Sequence, residues 1–336
     1  MTKRNAIILA AGKGTRMKSE KNKVMHDLID RPILAYPLGA LKKAGAERIV
    51  IVAGYQAQSL MDAFPEEEFA LQKEQLGTGH AVMQVSALKD EDGYTLVMNG
   101  DVPCLQPETL EMLYDQAQGK ALVLLSAILE EGGNYGRVVR NETGAVKEIV
   151  EARDCTPEQK EIREINAGVY CFNNRDLFDA LSELTTDNAQ NEYYLTDLVR
   201  ILNEKGKHVD AIAASDPDEM AGINTVSELY DVYRWMKDRI NRRHMLAGVQ
   251  IVDPQRTVIG QDVKIGHDTV IYPDTEILGK TALGNYVEIF PQTWIKDSVI
   301  GDGVRLQMCK VQNEMISNAL DEEPAGNEEG TGTQAC

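Results

Sequence analysis

The sequence has no apolar run long enough to span a bilayer as a helix, which argues against a transmembrane protein. Its five cysteines, Cys104, Cys155, Cys171, Cys309 and Cys336, are scattered, and none belongs to a Cys-x-x-Cys pair. Neither a zinc site nor a disulfide framework is indicated. Basic residues are scarce: 35 Lys and Arg against 53 Asp and Glu give a net charge of −18. Bulk nucleic-acid binding needs a basic surface and is disfavoured. The N-terminus lacks the long apolar core and cleavage site of a secretory leader, so a cytoplasmic location is expected.

What is present begins at the strand-like run Ala6-Ile7-Ile8, which passes into Leu9-Ala10-Ala11-Gly12-Lys13-Gly14-Thr15-Arg16-Met17. Gly12 and Gly14 let backbone N–H groups approach a phosphate, and Lys13 and Arg16 add charge where a triphosphate would lie. The segment is neither a P-loop nor a G-x-G-x-x-G turn. A glycine turn after a strand is also ordinary α/β structure, and it is the two cations that favour phosphate. In so acidic a chain, the nearby Lys23 gains weight for the same reason.

Up to about residue 225, short apolar runs alternate with helical patterns, as in βαβ units on a mainly parallel sheet. Strands are expected at 48–53, 94–99 and 121–127, and a helix over 33–44 stopped by Gly45. Gly12, Gly54 and Asp101 follow strand ends and could line one crevice. Val226, Leu229, Tyr233, Met236 and Ile240 recur at helical spacing and predict one amphipathic connector lying on the first domain.

Beyond Pro254 the period becomes six, through Ile259, Ile265, Ile271, Ile277, Leu283, Ile289 and Ile295, with Ile300 and Leu306 resuming after a slip. Hexads of this kind predict a left-handed parallel β-helix of about three coils. The pattern fails at Gln312, and the acidic, Gly- and Pro-containing segment that follows is expected to be disordered. The expected domains are therefore 1–225, a linker helix over 226–250, a β-helix over 251–310 and a tail over 311–336.

Two further segments carry chemistry. In Gln72-Lys73-Glu74-Gln75-Leu76-Gly77-Thr78-Gly79-His80 a Gly-Thr-Gly turn follows an amide that offers both donor and acceptor, which suits the imide edge of uracil. Taken alone, such a turn is more often a helix cap. In Asn99-Gly100-Asp101-Val102-Pro103 a carboxylate just past a strand could hold Mg²⁺ against nucleotide phosphates, or cap a turn.

Together these elements resemble the sugar-1-phosphate nucleotidyltransferases, and more closely the bacterial bifunctional N-acetylglucosamine-1-phosphate uridyltransferase/glucosamine-1-phosphate acetyltransferase family. The likeness runs on through Tyr135-Gly136-Arg137, Ile149-Val150-Glu151, Glu164-Ile165-Asn166-Ala167-Gly168, Glu192-Tyr193-Tyr194-Leu195-Thr196-Asp197 and Gly222-Ile223-Asn224, covering roughly residues 5–305. It implies an α/β Rossmann-like nucleotidyltransferase domain followed by the β-helix. It also implies transfer of UMP from UTP to N-acetylglucosamine 1-phosphate. By the same resemblance Leu9, Ala10, Ala11, Gly12, Gln72, Gly77 and Thr78 hold the nucleotide, and Arg16 and Lys23 neutralise its phosphates. Asp101 and Asn224 ligate Mg²⁺, and Gly136, Glu151 and Asn166 grip the sugar. His26 and His80 are expected to be structural, because an ionised phosphate nucleophile needs no general base.

Three departures from the family pattern stand out. Asn22 replaces the usual Pro before Lys23, which predicts a less rigid loop; Ala167 replaces a Thr beside the sugar. The family's β-helix runs on for many more coils, the distal ones carrying the acetyltransferase. A truncated form without acetyl transfer is therefore expected, and a homotrimer through the β-helix would follow the family. The competing readings are a nucleotidyltransferase for another sugar 1-phosphate and a catalytically silent nucleotide-sugar-binding paralogue.

Overall fold

The computed structural model describes residues 2–318, which divide into two compact units. The first comprises residues up to 26 and 32–228; the second comprises 27–31 and the chain from 229.

The apolar runs of the first unit form a nine-stranded sheet. Its strands are β1 (Arg4–Ala10), β2 (Arg48–Ala53), β3 (Glu68–Leu71), β4 (Tyr94–Asn99), β5 (Leu122–Ile128), β6 (Arg137–Arg140), β7 (Val146–Val150), β8 (Glu164–Asn173) and β9 (Val209–Ala213). The order is β9-β5-β8-β4-β1-β2-β3, and β6 pairs with β8 and β7. The pairs β1–β4, β1–β2, β2–β3 and β9–β5 are parallel, whereas β8 runs antiparallel to both of its main neighbours.

Successive residues of a strand face opposite sides, so β1 feeds two cores. Ala6 and Ile8 pack on one face with Leu38 and Leu41 of α1 (Ala35–Lys43). Ile7 packs on the other with Val82 of α2 (Thr78–Met83) and Leu198 of α3 (Asp197–Glu204). With both faces covered, the strands read as continuous apolar runs. In such a sheet a ligand crevice lies beyond the carboxyl ends of the parallel strands.

In the second unit short strands form three parallel sheets of four strands each, the architecture of a β-helix. Equivalent aliphatics stack rung on rung: Ile251, Ile271, Ile289 and Leu306; Ile259, Ile277, Ile295 and Val311; Ile265, Leu283, Ile300 and Ile316. The ladder passes the expected end at 310. From Leu306 to Val311 and on to Ile316 each step is five residues, which shortens the corner without moving the aliphatic off its column. The disordered tail expected over 311–336 is thus corrected for 311–318, which lie in the last described rung; residues 319–336 lie outside the described residues.

The helix α4 (Val226–Leu246) forms as expected, but from residue 229 it belongs to the second unit rather than the first. Val226 is 59 % exposed, and the buried face is Val232, Met236, Lys237, Ile240, Asn241 and His244. The reason is polar. The Asn241 amide donates to the carbonyls of Pro254 and Thr257, and the Lys237 ammonium to that of Gln255, tying the helix to the first coil.

Ile277 is fully buried between Ile259 and Ile295. Ile277→Ala is expected to destabilise the second unit by about 2–5 kcal/mol, through lost transfer energy and an unfilled cavity between rungs. Urea unfolding followed through the fluorescence of Trp235 and Trp294, both in the second unit, measures it; an unchanged midpoint would contradict the stacking.

Candidate active site

The carboxyl ends of β1 and β4 open into two adjoining cavities of ≈ 290 and ≈ 380 Å³ that share Leu9, Thr78, Asn99 and Asp101. Cavities of this size suit small-molecule ligands. Leu9, Ala10, Ala11, Gly12, Lys23, Gln72, Gly77, Thr78 and Asp101 line the first. Arg16, Asp101, Gly136, Glu151, Asn166 and Asn224 line the second. The residues that the family resemblance implies for nucleotide, metal and sugar therefore line two cavities that adjoin, whereas two others singled out from the sequence do not. Lys13 lines neither cavity, and Gly54 is packed against the Ala11 carbonyl instead.

The first wall depends on two glycines at positive φ. Gly14, at φ 59°, turns the chain after β1, and a Cβ there would lie 2.6 Å from that of Lys23, so only glycine lets Lys23 come so close. Gly77, at φ 111°, brings the base-side turn against the Tyr193 backbone, where a Cβ would meet the carbonyl oxygen at 2.6 Å. Asn22 does not loosen the loop, contrary to expectation. It is 1 % exposed, its side-chain oxygen accepts from the Val24 N–H, and its amide donates to the Tyr55 carbonyl at 2.8 Å. Two hydrogen bonds hold what a proline ring would otherwise restrict.

The base-side turn is braced by the segment Glu192–Leu195. Tyr193 N–H donates to the Leu76 carbonyl and Gly79 N–H to the Tyr193 carbonyl, both at 2.8 Å. The Thr78 hydroxyl accepts from Leu195 N–H. Gln72 is buried, and its amide nitrogen lies 3.1 Å from both the Gly77 carbonyl and His80 Nδ1. His80 thus orients Gln72 without lining either cavity.

Charge concentrates where the cavities meet. The Lys23 ammonium donates to Asp101 and, at 3.1 Å, to Asn224 Oδ1, which also accepts from Arg16 at 2.8 Å. The Asp101 and Asn224 oxygens converge on one ammonium, so both are aimed at the same spot in the junction. No cluster of three or more His, Cys, Asp or Glu suited to a metal occurs among the described residues. A donor set of one carboxylate and one amide oxygen fits Mg²⁺, which takes few protein ligands and completes its shell with phosphates and water.

The far wall is built by β7 and β8. Asn166 N–H donates to the Gly136 carbonyl at 2.9 Å, and the Asn166 amide donates to the Tyr170 hydroxyl at 2.6 Å while its oxygen accepts from Gly168 N–H. A register shift between Asn166 and Tyr170, with Gly168 at φ 71°, turns these side chains out of the ladder. Burial raises the Tyr170 phenol well above its ordinary range, so it remains neutral. Glu151 accepts from the Thr196 hydroxyl at 3.1 Å. Burial above all, then the charges of Asp154 and Asp197, raises its carboxyl above the usual range.

Asn99, Tyr170, Thr196 and Glu228 also line the second cavity but had not been singled out from the sequence. Glu228 left a signal there, since Thr225-x-x-Glu228 has the spacing of a capping box.

A glycine-bearing loop after the first strand, clustered cations and a carboxylate past β4 on a doubly wound sheet define a nucleotidyltransferase. The model of the MobA-like NTP transferase domain matches residues 6–204. The chain is 41% identical over 322 residues to the bifunctional protein GlmU of Geobacillus sp. (strain WCH70), covering 95% of this chain and 70% of that protein. It is 43% identical over 325 residues to GlmU of Limosilactobacillus reuteri (strain DSM 20016), covering 96% and 71%. The chain belongs to the GlmU family, and by class it is a sugar-1-phosphate uridylyltransferase. A solved structure of UDP-glucose pyrophosphorylase complexed with UDP-glucose shares the fold, with a TM-score of 0.58 at 22% identity over 71% of this chain and all of that one. No helix among the described residues is long and apolar enough to cross a membrane.

Proposed function

We propose that the enzyme transfers UMP from UTP to N-acetylglucosamine 1-phosphate, with Mg²⁺ as cofactor. The observation that carries this reading is the junction of the cavities, where Arg16, Lys23, Asp101 and Asn224 converge between a base-side turn and a wall of amide and carboxylate groups. An oxygen of the sugar phosphate attacks the α-phosphorus of UTP. The bond from that phosphorus to the bridging oxygen breaks, and pyrophosphate leaves with the electron pair. The nucleophile is already ionised near neutral pH, and no histidine lines either cavity.

Rate enhancement then comes from alignment and charge neutralisation. Leu9–Gly12 and Thr78 cradle the nucleotide, and Gln72 reads the imide edge of uracil. Lys23 and Arg16 balance the phosphate charge. Asp101 and Asn224 would hold Mg²⁺, which supplies further neutralisation at the phosphates. Gly136, Asn166 and Glu151 take the sugar.

Pyrophosphate release with UTP, Mg²⁺ and a panel of sugar 1-phosphates tests this. Release with N-acetylglucosamine 1-phosphate alone is expected; preference for another sugar would replace the acceptor, and silence across the panel would leave only a binding protein. In the same preparation no acetyl transfer from acetyl-CoA to glucosamine 1-phosphate is expected. The only histidine of the described coils, His267, is exposed and paired with Asp268. Assembly as a homotrimer through the β-helix and a cytoplasmic location, where UTP is available, complete the reading; light scattering and cell fractionation check them.

Glu151 gives the sugar step a pH signature. Its raised carboxyl takes up a proton at a higher pH than an ordinary glutamate and then accepts hydroxyl hydrogen bonds less well. The KM for the sugar phosphate is therefore expected to rise as pH falls, beginning above the usual carboxylate range. Glu151→Gln should raise KM throughout and flatten that limb. Burial of the charged form also costs the fold stability as pH rises through the raised value, so the same variant should melt no lower than the parent. An acid limb that persists in Glu151→Gln would assign it elsewhere.

A further inference from the structure

The Asn224 amide oxygen receives both cations of the site, and one residue outside that set fixes where it stands. Glu228 lies in the first turn of α4, and its Oε2 accepts the backbone N–H of Asn224 at 2.7 Å and of Thr225 at 2.8 Å. In return the Thr225 hydroxyl accepts the Glu228 N–H at 3.2 Å. An ordinary capping box satisfies one donor with each side chain; here a single carboxylate oxygen takes two adjacent donors, and both bonds are short and charge-assisted. The chain of contacts runs from the Glu228 carboxylate to the Asn224 backbone, and from the Asn224 side chain to Arg16 and Lys23. Glu228 also stands in the wall of the second cavity with Tyr135, whose hydroxyl is raised by burial and by the charges of Glu228 and Asp101.

We propose that Glu228 is a positioning residue for the reaction: it holds Asn224 so that its oxygen meets Arg16, Lys23 and the divalent cation at the cavity junction. Without the carboxylate two N–H groups at the start of α4 lose their partner, and the turn that carries Asn224 is free to shift. Displacement of a ligating or aligning group by about 1 Å costs on the order of 100-fold in rate. Glutamine in place of Glu228 keeps an oxygen at the same reach, whereas aspartate is one methylene too short. The inference rests on the assignment of Asn224 under Proposed function.

The test compares the wild-type chain with Glu228→Ala, Glu228→Asp, Glu228→Gln and Asn224→Ala. Mn²⁺ affinity in the presence of UTP is read from the electron paramagnetic resonance of free Mn²⁺, kcat and KM from pyrophosphate release, and folding from thermal melts. Glu228→Ala and Glu228→Asp are each expected to weaken Mn²⁺ binding and lower kcat by roughly tenfold or more, with the KM for UTP changing much less, and Glu228→Gln to recover most of both. Asn224→Ala should lose both. Wild-type Mn²⁺ affinity and kcat in folded Glu228→Ala or Glu228→Asp, with Asn224→Ala impaired, would overturn the positioning role alone. Wild-type behaviour of Asn224→Ala would overturn the assignment of Asn224 and the inference with it.

Discussion

Arg16→Ala is expected to lower kcat by about 10³-fold, equivalent to ~4 kcal/mol of transition-state stabilisation. Arg16 lies on an exposed turn after β1, outside the hydrophobic cores, and its guanidinium donates to Asn224 in the second cavity. Its loss should change folding stability by no more than about 0.5 kcal/mol, as is usual for surface substitutions. The loss in rate follows from the reaction. Negative charge spreads over the α-phosphoryl oxygens and the departing pyrophosphate as the bond breaks, and a fixed guanidinium is worth most at that moment. Arg16→Lys retains the charge but not the planar fork, so its turnover should fall between the two. Pyrophosphate release beside a thermal melt checks both parts; near-normal turnover in Arg16→Ala would remove the residue from the mechanism.

Asp101→Ala is expected to have an effect at least as large, about 10³-fold or more in kcat, because it removes the one carboxylate among the described residues that both cavities share. It also leaves the Lys23 ammonium without its anionic partner. Asp101→Asn keeps an oxygen at the site and loses only the charge. Turnover of Asp101→Asn should therefore recover partly as Mg²⁺ is raised, whereas that of Asp101→Ala should not. A titration of rate against Mg²⁺ separates the variants. Equal dependence on Mg²⁺ in wild type and Asp101→Asn would show that Asp101 holds Lys23 and no metal.

Much of the nucleotide side was legible because its determinants are local. An apolar run ending in small residues and glycine describes β1 and its loop, and the cations sit within a few residues of it. The hexads were legible across one five-residue step, from Ile295 to Ile300; Val311 and Ile316 were lost because two such steps in succession keep the column but break the count. What escaped depends on distant partners. Nothing near Glu164–Asn173 states that β8 runs against its neighbours, since direction is fixed by pairing with residues 94–98 and 122–128. The helix over 226–246 shows its period but not its destination, which is set by carbonyls at Pro254, Gln255 and Thr257. Asn22 read as a weakened proline because its two hydrogen bonds, one of them to a carbonyl far along the chain, have no signature in sequence.

The reversed direction of β8 separates the two halves of the cleft in mechanical character. Parallel strands reach the ligand edge with their carboxyl ends, so what they present there is loop, as at Gly12, Gly77 and Asp101. A reversed strand reaches the same edge with its beginning, so Asn166 and Tyr170, on either side of the register shift, line the second cavity from within the strand itself. The first cavity is therefore edged mainly by loops, and the second in part by a strand held in backbone hydrogen bonds. On the proposed assignment, loops face the nucleotide, and part of what faces the acceptor is sheet.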